Sequence, residues 1–324
     1  MTIKAGKYRV MDTENQTSQP GPEAAPLDLG IVIVNYNTAD LLRACLRSLY
    51  ASAGVAFQVV VVDNCSPDNS AQVVRDEFPP ARLIVAGENQ GYACANNLGL
   101  REFMGEPALR PRYVMLLNAD TELPPTALAR MVAFLDEHPE AGVAGPKLVR
   151  QDGSLDLACR RSFPDMTTLI YRRLGLHKLF PDHPRFARYN LTFLDPDETT
   201  EVDSVVGAFM MLRTEILDQV GLLDESFFMY GEDLDWAYRI KQAGWKVYYY
   251  PAVEVLHYKG ESSKQRVFKT TYEFYRAMYV FYQKHYARNT NLLLRPVIVA
   301  GIVVQGGWAL LRNALRSAHQ RRVC

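Results

Sequence analysis

Ile31-Val32-Ile33-Val34-Asn35-Tyr36-Asn37 sets four β-branched apolar residues directly before three polar ones. A short apolar run that ends in polar residues is typical of a strand buried on both faces of a parallel sheet. Similar runs, separated by amphipathic stretches with helical spacing, continue to about residue 148. This alternation predicts an α/β fold with a mostly parallel central sheet and helices on both faces.

Polar side chains collect at the ends of the predicted strands, which lie at 31–34, 59–62, 83–85 and 113–117. In open α/β sheets, ligands bind outside the carboxyl ends of the strands. No Gly-x-Gly-x-x-Gly follows the first strand, so the pattern does not fit a dinucleotide-binding fold. The residues expected at this edge are Asn35, Tyr36, Asn37, Asp63, Asn64, Asn118 and Asp120.

A second polar cluster opens a predicted helix at residues 229–239, Met-Tyr-Gly-Glu-Asp-Leu-Asp-Trp-Ala-Tyr-Arg. Its first turn contains Glu232, Asp233 and Asp235. The helix dipole favours acids in a first turn, so N-capping is one explanation. Together with the acid at position 120, the cluster predicts one cleft that contains a general base and a metal-bound anion.

Composition limits the class of protein. The 324 residues are 48% hydrophobic, which is enough for a substantial core, and 36 basic residues balance 36 acidic ones. No net charge therefore attracts the chain to nucleic acid. The five cysteines are scattered and form no Cys-x-x-Cys pair, which argues against a disulfide framework or structural zinc and favours the reducing cytoplasm.

Seven segments, taken in order, resemble the family 2 glycosyltransferases of the GT-A fold, and among them the rhamnosyltransferase-like members. The resemblance covers residues 29–263 and implies a nucleoside-diphosphate-sugar transferase domain. A polar, disordered tail at 1–28 and a C-terminal helical region at 264–324 are expected on either side. The matching segments are 31–37, 61–64 (Val-Val-Asp-Asn), 88–93 (Glu-Asn-Gln-Gly-Tyr-Ala), 118–120 (Asn-Ala-Asp), 207–213, 227–235 and His257.

The resemblance implies a donor site at the strand ends. The carboxylate of Asp63 can accept the N3–H of uracil or thymine, which favours a UDP- or dTDP-linked sugar, although capping of the next turn is an alternative role. A simple turn explains Gly91 nearly as well as donor contact does. The implied donor-binding residues are Asn35, Tyr36, Asn37, Asp63, Asn89, Gly91, Asn118 and Asp120.

The resemblance also implies a divalent cation, Mg²⁺ or Mn²⁺, held against the donor diphosphate by Asp120 and His257. Asp120 matches the last acid of the family's Asp-x-Asp motif. Position 118 departs from that motif because it is Asn, so less protein charge faces the cation. His257 is a lone histidine after a strand, so a purely structural role is the alternative to metal binding.

For catalysis, the resemblance makes Asp233 the general base that deprotonates the acceptor hydroxyl as it attacks the anomeric carbon, which inverts the configuration. Glu232 is expected beside it as an orienting catalytic residue, and repulsion within the acidic cluster raises the pKa of the base. Asp235, Trp236 and Tyr230 are expected to bind the acceptor. Core packing is the alternative role for Trp236 and Tyr230.

Two regions lie outside the catalytic motifs. The arginine-rich stretch 150–200 is either a solvated insertion or an acceptor-binding flap. Near the C-terminus, an aromatic helix over 268–282 precedes a charge-free apolar stretch at 296–311, whose 16 residues fall short of the roughly 20 that cross a bilayer. Arg312, Arg316, Arg321 and Arg322 follow it. This pattern predicts peripheral binding to the inner face of the cell membrane, with packing on the catalytic domain or on a second subunit as the alternative.

These expectations combine into an inverting, metal-dependent transferase of cell-envelope polysaccharide synthesis. Its donor is expected to be dTDP-L-rhamnose, and its acceptor a glycan or polyprenyl-diphosphate-linked glycan. UDP-galactofuranose, UDP-glucose and UDP-N-acetylglucosamine remain alternative donors. A nucleotidyltransferase would need a basic Gly-rich loop after the first strand, which residues 35–38 do not supply. A non-catalytic, membrane-bound glycan-binding protein has only Asn118 in its favour.

Overall fold

A computed structural model describes residues 8–9, 27–105, 110–259 and 266–316. Its centre is a ten-stranded mixed sheet. The strands are β1 (Tyr8–Arg9), β2 (Leu29–Asn35), β3 (Phe57–Asp63), β4 (Arg82–Ala86), β5 (Tyr113–Asn118), β6 (Thr121–Glu122), β7 (Ala141–Val149), β8 (Thr200–Val202), β9 (Phe209–Arg213) and β10 (Lys246–His257).

The strand order explains why distant polar residues meet. The sheet runs β1-β4-β3-β2-β5-β9-β7-β10-β6, and β8 pairs with β10 outside this path. β2 to β5 are parallel to one another, β9 is antiparallel to both of its neighbours, and β10 is parallel to β7. The carboxyl ends of β2, β3, β5 and β10 therefore lie at one edge of the sheet, where the predicted site residues follow them.

Helices cover the sheet and extend beyond it. The apolar stripe of α1 is buried from Leu42 to Leu49, and the acidic helix α8 begins at Glu232 as predicted. The helices are α1 (Ala39–Tyr50), α2 (Ser70–Glu77), α3 (Tyr92–Arg101), α4 (Ala127–Glu137), α5 (Met166–Arg173), α6 (Leu176–Leu179), α7 (Glu215–Val220), α8 (Glu232–Gln242), α9 (Val267–Phe281) and α10 (Leu294–Leu315).

Three strands differ from the sequence-based expectation. The segments 247–250 and 253–256, predicted as two strands, form the single strand β10 with a register shift between Tyr250 and Glu254. Pro251 lies in this irregularity, where its missing N–H costs no ladder hydrogen bond. The strand predicted at 202–206 ends already at Val202. Within the predicted tail, β1 pairs with β4, while the rest of residues 1–26 lie outside the described residues.

Strand β7 escaped prediction because its sequence, Ala-Gly-Val-Ala-Gly-Pro-Lys-Leu-Val, is rich in residues that are rare in strands. The structure shows why glycine is needed. A Cβ on Gly145 would lie 2.7 Å from the Cβ of Val205, so the two chain segments approach too closely for any side chain at position 145. Tertiary packing, rather than local propensity, therefore determines this strand.

The C-terminal helices pack on α8 and on each other. Ala277 and Phe281 of α9 contact Phe227 and Leu234, and Ile302 of α10 joins a smaller cluster at the end of α9. Helix α10 has 22 residues, and its most apolar 18-residue window has a mean hydropathy of 1.6, so it is long and apolar enough to cross a membrane by length and composition. The expectation that it is too short counted only the charge-free stretch 296–311.

Candidate active site

A cavity of about 1180 Å³ opens at the carboxyl edge of the sheet. It brings together residues that the sequence separates by more than a hundred positions. The acidic pair Glu232 and Asp233 lines it together with Asp120 and His257. Among the predicted donor-binding residues, those that line the cavity are Tyr36, Asn89, Gly91, Asn118 and Asp120.

Asn35, Asn37 and Asp63 lie beside the cavity in a hydrogen-bonded network of their own. Asp63 Oδ2 accepts a hydrogen bond from the backbone N–H of Ser66 at 3.1 Å, and Asn35 Nδ2 donates to Ser66 Oγ at 3.2 Å. The backbone N–H of Asn37 donates to the same Oγ at 2.9 Å. These contacts match the turn-capping alternative for Asp63, and recognition of the donor base by Asp63 remains a prediction.

Asn64 lines the cavity, although the sequence predicts only its place at a strand end. Its Nδ2 donates to Gly91 O at 3.1 Å and to Asn89 Oδ1 at 3.3 Å. Its Oδ1 accepts from the backbone N–H of Gln90 at 3.2 Å. One buried amide thus fixes the whole turn that precedes α3.

The turn at Gly91 needs glycine for close approach as well as for its backbone conformation. Its φ of +93° is rarely adopted by L residues, and a Cβ here would lie 2.3 Å from Phe228 O. The next residue, Tyr92, donates its N–H to the same carbonyl at 2.6 Å. The turn therefore joins the sheet edge at Asn64 to the loop before the acidic helix α8.

Tyr92 also connects the sheet edge at Asn118 to the segment that contains Gly207. Its hydroxyl lies 3.0 Å from Asn118 Oδ1 and 2.9 Å from Gly207 O. Burial raises the pKa of Tyr92, so the hydroxyl keeps its proton and acts as a donor. Asn118, the departure from the Asp-x-Asp motif, is thus an acceptor within this contact.

Asp120 and His257 lie next to each other in the wall of the cavity. Asp120 Oδ1 lies 3.3 Å from His257 Nε2, yet this nitrogen is buried and has no hydrogen-bond partner among the described residues. On the other side of the ring, Nδ1 lies 3.0 Å from Asp156 Oδ2. Asp156 is fully buried and also binds the ammonium group of Lys259.

The charges around this histidine are tightly coupled. Burial lowers the pKa of His257, but the carboxylates of Asp120 and Asp156 outweigh it and raise the pKa to about 9. Burial alone would raise the pKa of Asp156, and hydrogen bonds from His257 and Lys259 lower it instead. Asp156 and Lys259 were missed from the sequence because no local pattern marks them.

The Asp120–His257 pair fits a divalent cation. Because the raised pKa keeps both ring nitrogens protonated, a cation would have to displace the proton on Nε2. Nε2 would then lie beside a carboxylate oxygen, with Nδ1 held by a second carboxylate, which is the arrangement that metal-binding histidines share. No group of three or more His, Cys, Asp or Glu is arranged to hold a metal within the part of the chain that the structure describes. A cation here would therefore complete its shell with diphosphate oxygens and water.

Asp233 is held by three donors. Arg161 Nη2 donates to its Oδ2 at 2.7 Å, and the N–H of Gly207 donates to the same oxygen at 3.1 Å. The N–H of Leu234 donates to Oδ1 at 2.8 Å. Arg161 is buried and lies in the arginine-rich stretch 150–200, which was expected to be either a solvated insertion or an acceptor-binding flap.

Glu232 has the opposite environment. It is buried, its Oε2 has no hydrogen-bond partner among the described residues, and no cation of those residues pairs with it. Burial, followed by the charge of Asp233, raises the pKa of Glu232 to about 8. The two neighbouring acids therefore differ at neutral pH, because Glu232 retains its proton and Asp233 has a guanidinium partner.

Tyr230 lines the cavity and packs edge-on against Phe274 at 5.7 Å between ring centroids. It adopts φ +68°, and Gly231 follows with φ +80°, so two consecutive left-handed residues lead into α8. Such backbone strain is common at functional sites. Acceptor contact by Tyr230 remains a prediction.

The structure corrects the acceptor assignment of Trp236 and Asp235, neither of which lines the cavity. Trp236 is fully buried in the core, and its Nε1 donates to Gly221 O at 2.9 Å, so the core alternative describes it. Asp235 is fully buried and pairs with Arg239 at 2.9 Å and with Lys284 and His285 at 2.7 Å. It ties α8 to the end of α9.

Comparisons with known proteins place this geometry in a family. The profile of the family described as glycosyl transferase family 2 matches residues 30–221. The chain is 28% identical over 305 residues to an N-acetylglucosaminyl-diphospho-decaprenol L-rhamnosyltransferase of Mycobacterium tuberculosis, covering 91% of this chain and 96% of the relative. It is 25% identical over 232 residues to the rhamnosyltransferase WbbL of Escherichia coli, covering 70% and 82%.

A further relative is the low-salt glycan biosynthesis hexosyltransferase Agl10 of Haloferax volcanii, 27% identical over 248 residues, which are 76% of this chain and 72% of the relative. Among solved structures, GalNAc-T7 with UDP, GalNAc and Mn²⁺ aligns with TM-score 0.54 and 17% identity. The alignment covers 80% of this chain and half of that one, and it confirms the GT-A fold. The chain therefore belongs to glycosyl transferase family 2, in which it is similar to rhamnosyltransferases.

Proposed function

We propose that this protein is an inverting, divalent-metal-dependent glycosyltransferase that moves L-rhamnose from dTDP-L-rhamnose to a polyprenyl-diphosphate-linked glycan in cell-envelope polysaccharide synthesis. The observation that carries the proposal is that one cavity contains both the Asp120–His257 pair and the Glu232–Asp233 pair. The first pair suits a metal-bound diphosphate, and the second suits deprotonation of a hydroxyl. The names of the relatives support rhamnose and the lipid-linked acceptor.

Asp233 is the proposed base. Its carboxylate is the member of the acidic pair that is stabilised by a guanidinium, whereas Glu232 retains its proton at neutral pH. Neighbouring acids whose environments separate their protonation states supply an acid and a base at the same pH. Asp233 would take the proton as the acceptor oxygen attacks the anomeric carbon, and Glu232 would donate a hydrogen bond to a sugar oxygen.

The leaving diphosphate would be stabilised at Asp120 and His257. Asp156 holds the His257 ring through Nδ1, so that Nε2 lies beside Asp120 in the cavity wall. When bound, Mg²⁺ or Mn²⁺ would neutralise the charge that develops on the leaving group. Tyr36, Asn64 and Asn89 line the same cavity and would contact the nucleotide part of the donor.

The C-terminal helices support a location at the cytoplasmic face of the cell membrane. Only 17% of the most apolar window of α10 is buried, whereas the core helix of a soluble protein would be mostly buried. Its exposed apolar residues, and those of the turn before it, include Leu292, Leu293, Val297, Val303, Val304 and Trp308. A surface of this kind fits contact with lipid, which is also where a polyprenyl-linked acceptor resides.

The donor is tested by comparing nucleoside-diphosphate sugars in the presence of Mn²⁺. dTDP-L-rhamnose should raise the thermal midpoint more than UDP-glucose, UDP-galactofuranose or UDP-N-acetylglucosamine, because only a bound ligand stabilises the folded state. Mass spectrometry of the product with a lipid-linked acceptor should then show one added deoxyhexose. If a UDP sugar gives the larger shift and the product, that sugar is the donor instead of dTDP-L-rhamnose. If no donor shifts the thermal midpoint, the non-catalytic alternative is favoured.

A further inference from the structure

The active-site cavity is larger and more apolar than a nucleotide-sugar requires. Small-molecule pockets measure about 300–1,000 Å³, whereas this cavity measures about 1180 Å³. Beyond the two acids, it continues between α5 and the C-terminal helices. The apolar residues that line this part are Met166, Leu169 and Ile170 of α5, Met278 of α9, and Ile298 and Ile302 of α10. We name this part the α5–α10 corridor.

The corridor presents large apolar side chains to water. Ile170 is 52% exposed and Leu174, just after α5, is 67% exposed, although both line the cavity. Glycans are bound mainly by polar side chains and aromatic faces. Exposed aliphatic residues in a cavity instead indicate an aliphatic ligand.

A cation adjoins these apolar side chains. Arg172 of α5 lines the cavity and is only partly exposed, with its guanidinium 4.5 Å from the centre of the Tyr189 ring. Its Nη1 donates to Asn190 Oδ1 at 2.6 Å. Among the described residues, no carboxylate pairs with Arg172. A partly buried guanidinium without a counter-ion, with donors left over, suits a phosphate group that accepts two parallel hydrogen bonds.

One side of helix α10 lines the α5–α10 corridor, and a neighbouring side of the same helix is exposed. Residues 297, 298, 301, 302 and 305 line the cavity and recur at helical spacing. Val304, Trp308, Leu311 and Leu315 are exposed and lie on a neighbouring face of the same helix. One helix thus adjoins both the catalytic cavity and the proposed membrane surface.

We propose that the α5–α10 corridor binds the isoprenoid chain of the acceptor, and that Arg172 and Arg173 bind its diphosphate. This inference rests on the proposed function and adds where the lipid lies. The acceptor sugar would be at Asp233, the diphosphate at the arginines of α5, and the isoprenoid chain between α5 and α10. The acceptor would then reach the acids directly from the membrane surface.

The test uses farnesyl diphosphate, farnesol and inorganic pyrophosphate as probes of the full-length protein, below micelle-forming concentrations. Binding is measured by calorimetry with Mn²⁺ and saturating dTDP present, so that the donor site is filled. Farnesyl diphosphate should bind more tightly than either fragment. Arg172→Gln should weaken the binding of farnesyl diphosphate about tenfold or more, as expected for a lost charged hydrogen bond, and should leave the binding of farnesol unchanged.

Ile170→Asn should weaken the binding of farnesyl diphosphate and of farnesol by about threefold or more, because each ligand loses apolar burial. Arg185→Gln and Leu179→Asn are the matched controls. Both residues are exposed, belong to the same segment and do not line the cavity, so both control variants should bind farnesyl diphosphate and farnesol like the wild type. If Arg172→Gln fails to fold, Arg173→Gln, which changes an exposed side chain, replaces it.

Three results would overturn the corridor: no farnesyl diphosphate binding once dTDP fills the donor site, equal effects of Arg172→Gln and Arg185→Gln, or pyrophosphate binding as tight as farnesyl diphosphate binding. A transfer assay separates this from the proposed function. If a methyl glycoside accepts sugar as efficiently as the same glycan on farnesyl diphosphate, the transferase stands and the corridor fails. If farnesyl diphosphate binds as predicted but no donor is used, the corridor stands and the proposed reaction fails.

Discussion

Arg161 Nη2 lies 2.7 Å from Asp233 Oδ2, and both side chains are buried at the edge of the candidate active-site cavity. The same guanidinium group donates to Val205 O at 3.1 Å, so it is anchored to the backbone as well as to the acid. The segment that contains Arg161 is therefore part of the candidate active site. Arg161 fixes the position of the proposed base.

The first prediction concerns which acid takes the proton. Asp233→Asn should lower kcat by about 10²-fold or more, because general-base catalysis is lost, while dTDP binding is retained. Glu232→Gln should lower kcat less, since an amide still donates a hydrogen bond. Assays must run well below each thermal midpoint because Asp233→Asn also leaves Arg161 unpaired. The reverse ranking of the two variants would assign the base to Glu232.

The second prediction concerns the stability of the Arg161–Asp233 pair. Arg161→Met should reduce the free energy of unfolding by about 3–5 kcal/mol, since an uncompensated buried carboxylate remains. Adding Asp233→Asn should recover part of that loss, and denaturant unfolding of the wild type, both single variants and the double variant measures the coupling. Strictly additive effects would mean that the two side chains do not interact in solution.

The third prediction concerns pH. The pKa of Glu232 is raised from 4.5 to about 8, so the folded protein binds more protons than the unfolded chain between these values. The stability contributed by this group is complete below the unfolded pKa and is lost as the pH rises through about 8. Glu232→Gln, which cannot ionise, should therefore become progressively more stable than the wild type across this window, by at most about 1.4 kcal/mol per pH unit.

Thermal or denaturant unfolding at several pH values measures this difference. Glu215→Gln is the control substitution, because Glu215 is an exposed acid at the start of α7 and does not line the cavity. A constant difference between Glu232→Gln and the wild type across the window would show that Glu232 is already ionised in the folded protein.

The fourth prediction concerns the metal. Asp156 holds His257 in place, so Asp156→Asn should weaken Mn²⁺ binding by about 10–100-fold without removing a ligand. Mn²⁺ binding in the presence of dTDP can be followed by electron paramagnetic resonance. Asp152→Asn, an exposed acid of the same segment, should bind Mn²⁺ like the wild type. Full transfer activity in excess chelator would remove the cation from the mechanism.

Local pattern predicted the elements that position the site. Four buried strands and the start of α8 at Glu232 follow from apolar runs, helical spacing and acids in a first turn. The partners of the site residues did not follow, because they are distant in the chain. Arg161 and Asp233 are 72 residues apart, and Asp156 and His257 are 101 apart. Nothing in the local sequence of Arg161 or Asp156 distinguishes it from a solvated charge.

Trp236 was misassigned for a related reason. The prediction placed Trp236 against the acceptor, with core packing as its alternative. In the structure, Trp236 packs into the main core while Leu234 packs against α9. A helix buried on two sides has no single polar face, so its periodicity does not identify which side chains reach the cavity.

The last prediction concerns the membrane. The full-length protein should co-sediment with anionic liposomes and be partly released by high salt, since screening weakens the attraction of Arg312 and Arg316 but not apolar insertion. Arg321 and Arg322, which are expected to contribute, lie outside the described residues. A helix that crosses the bilayer would instead resist both high salt and alkaline carbonate. Sedimentation after each treatment distinguishes peripheral from spanning association.

The packing of α9 determines where the chain can be truncated to remove α10 without unfolding the domain. A truncation near residue 264 would expose Leu234 and leave Asp235 without Lys284 and His285, so it should unfold the domain rather than test lipid binding. A truncation after Asn291 removes Leu292, Leu293, α10 and the residues beyond it. It should stay folded and lose liposome binding, and Trp308→Glu should weaken binding where Leu179→Glu does not. If α10 instead covers a second subunit, the truncated chain will not change in lipid binding but will change in oligomeric state, which sedimentation velocity measures directly.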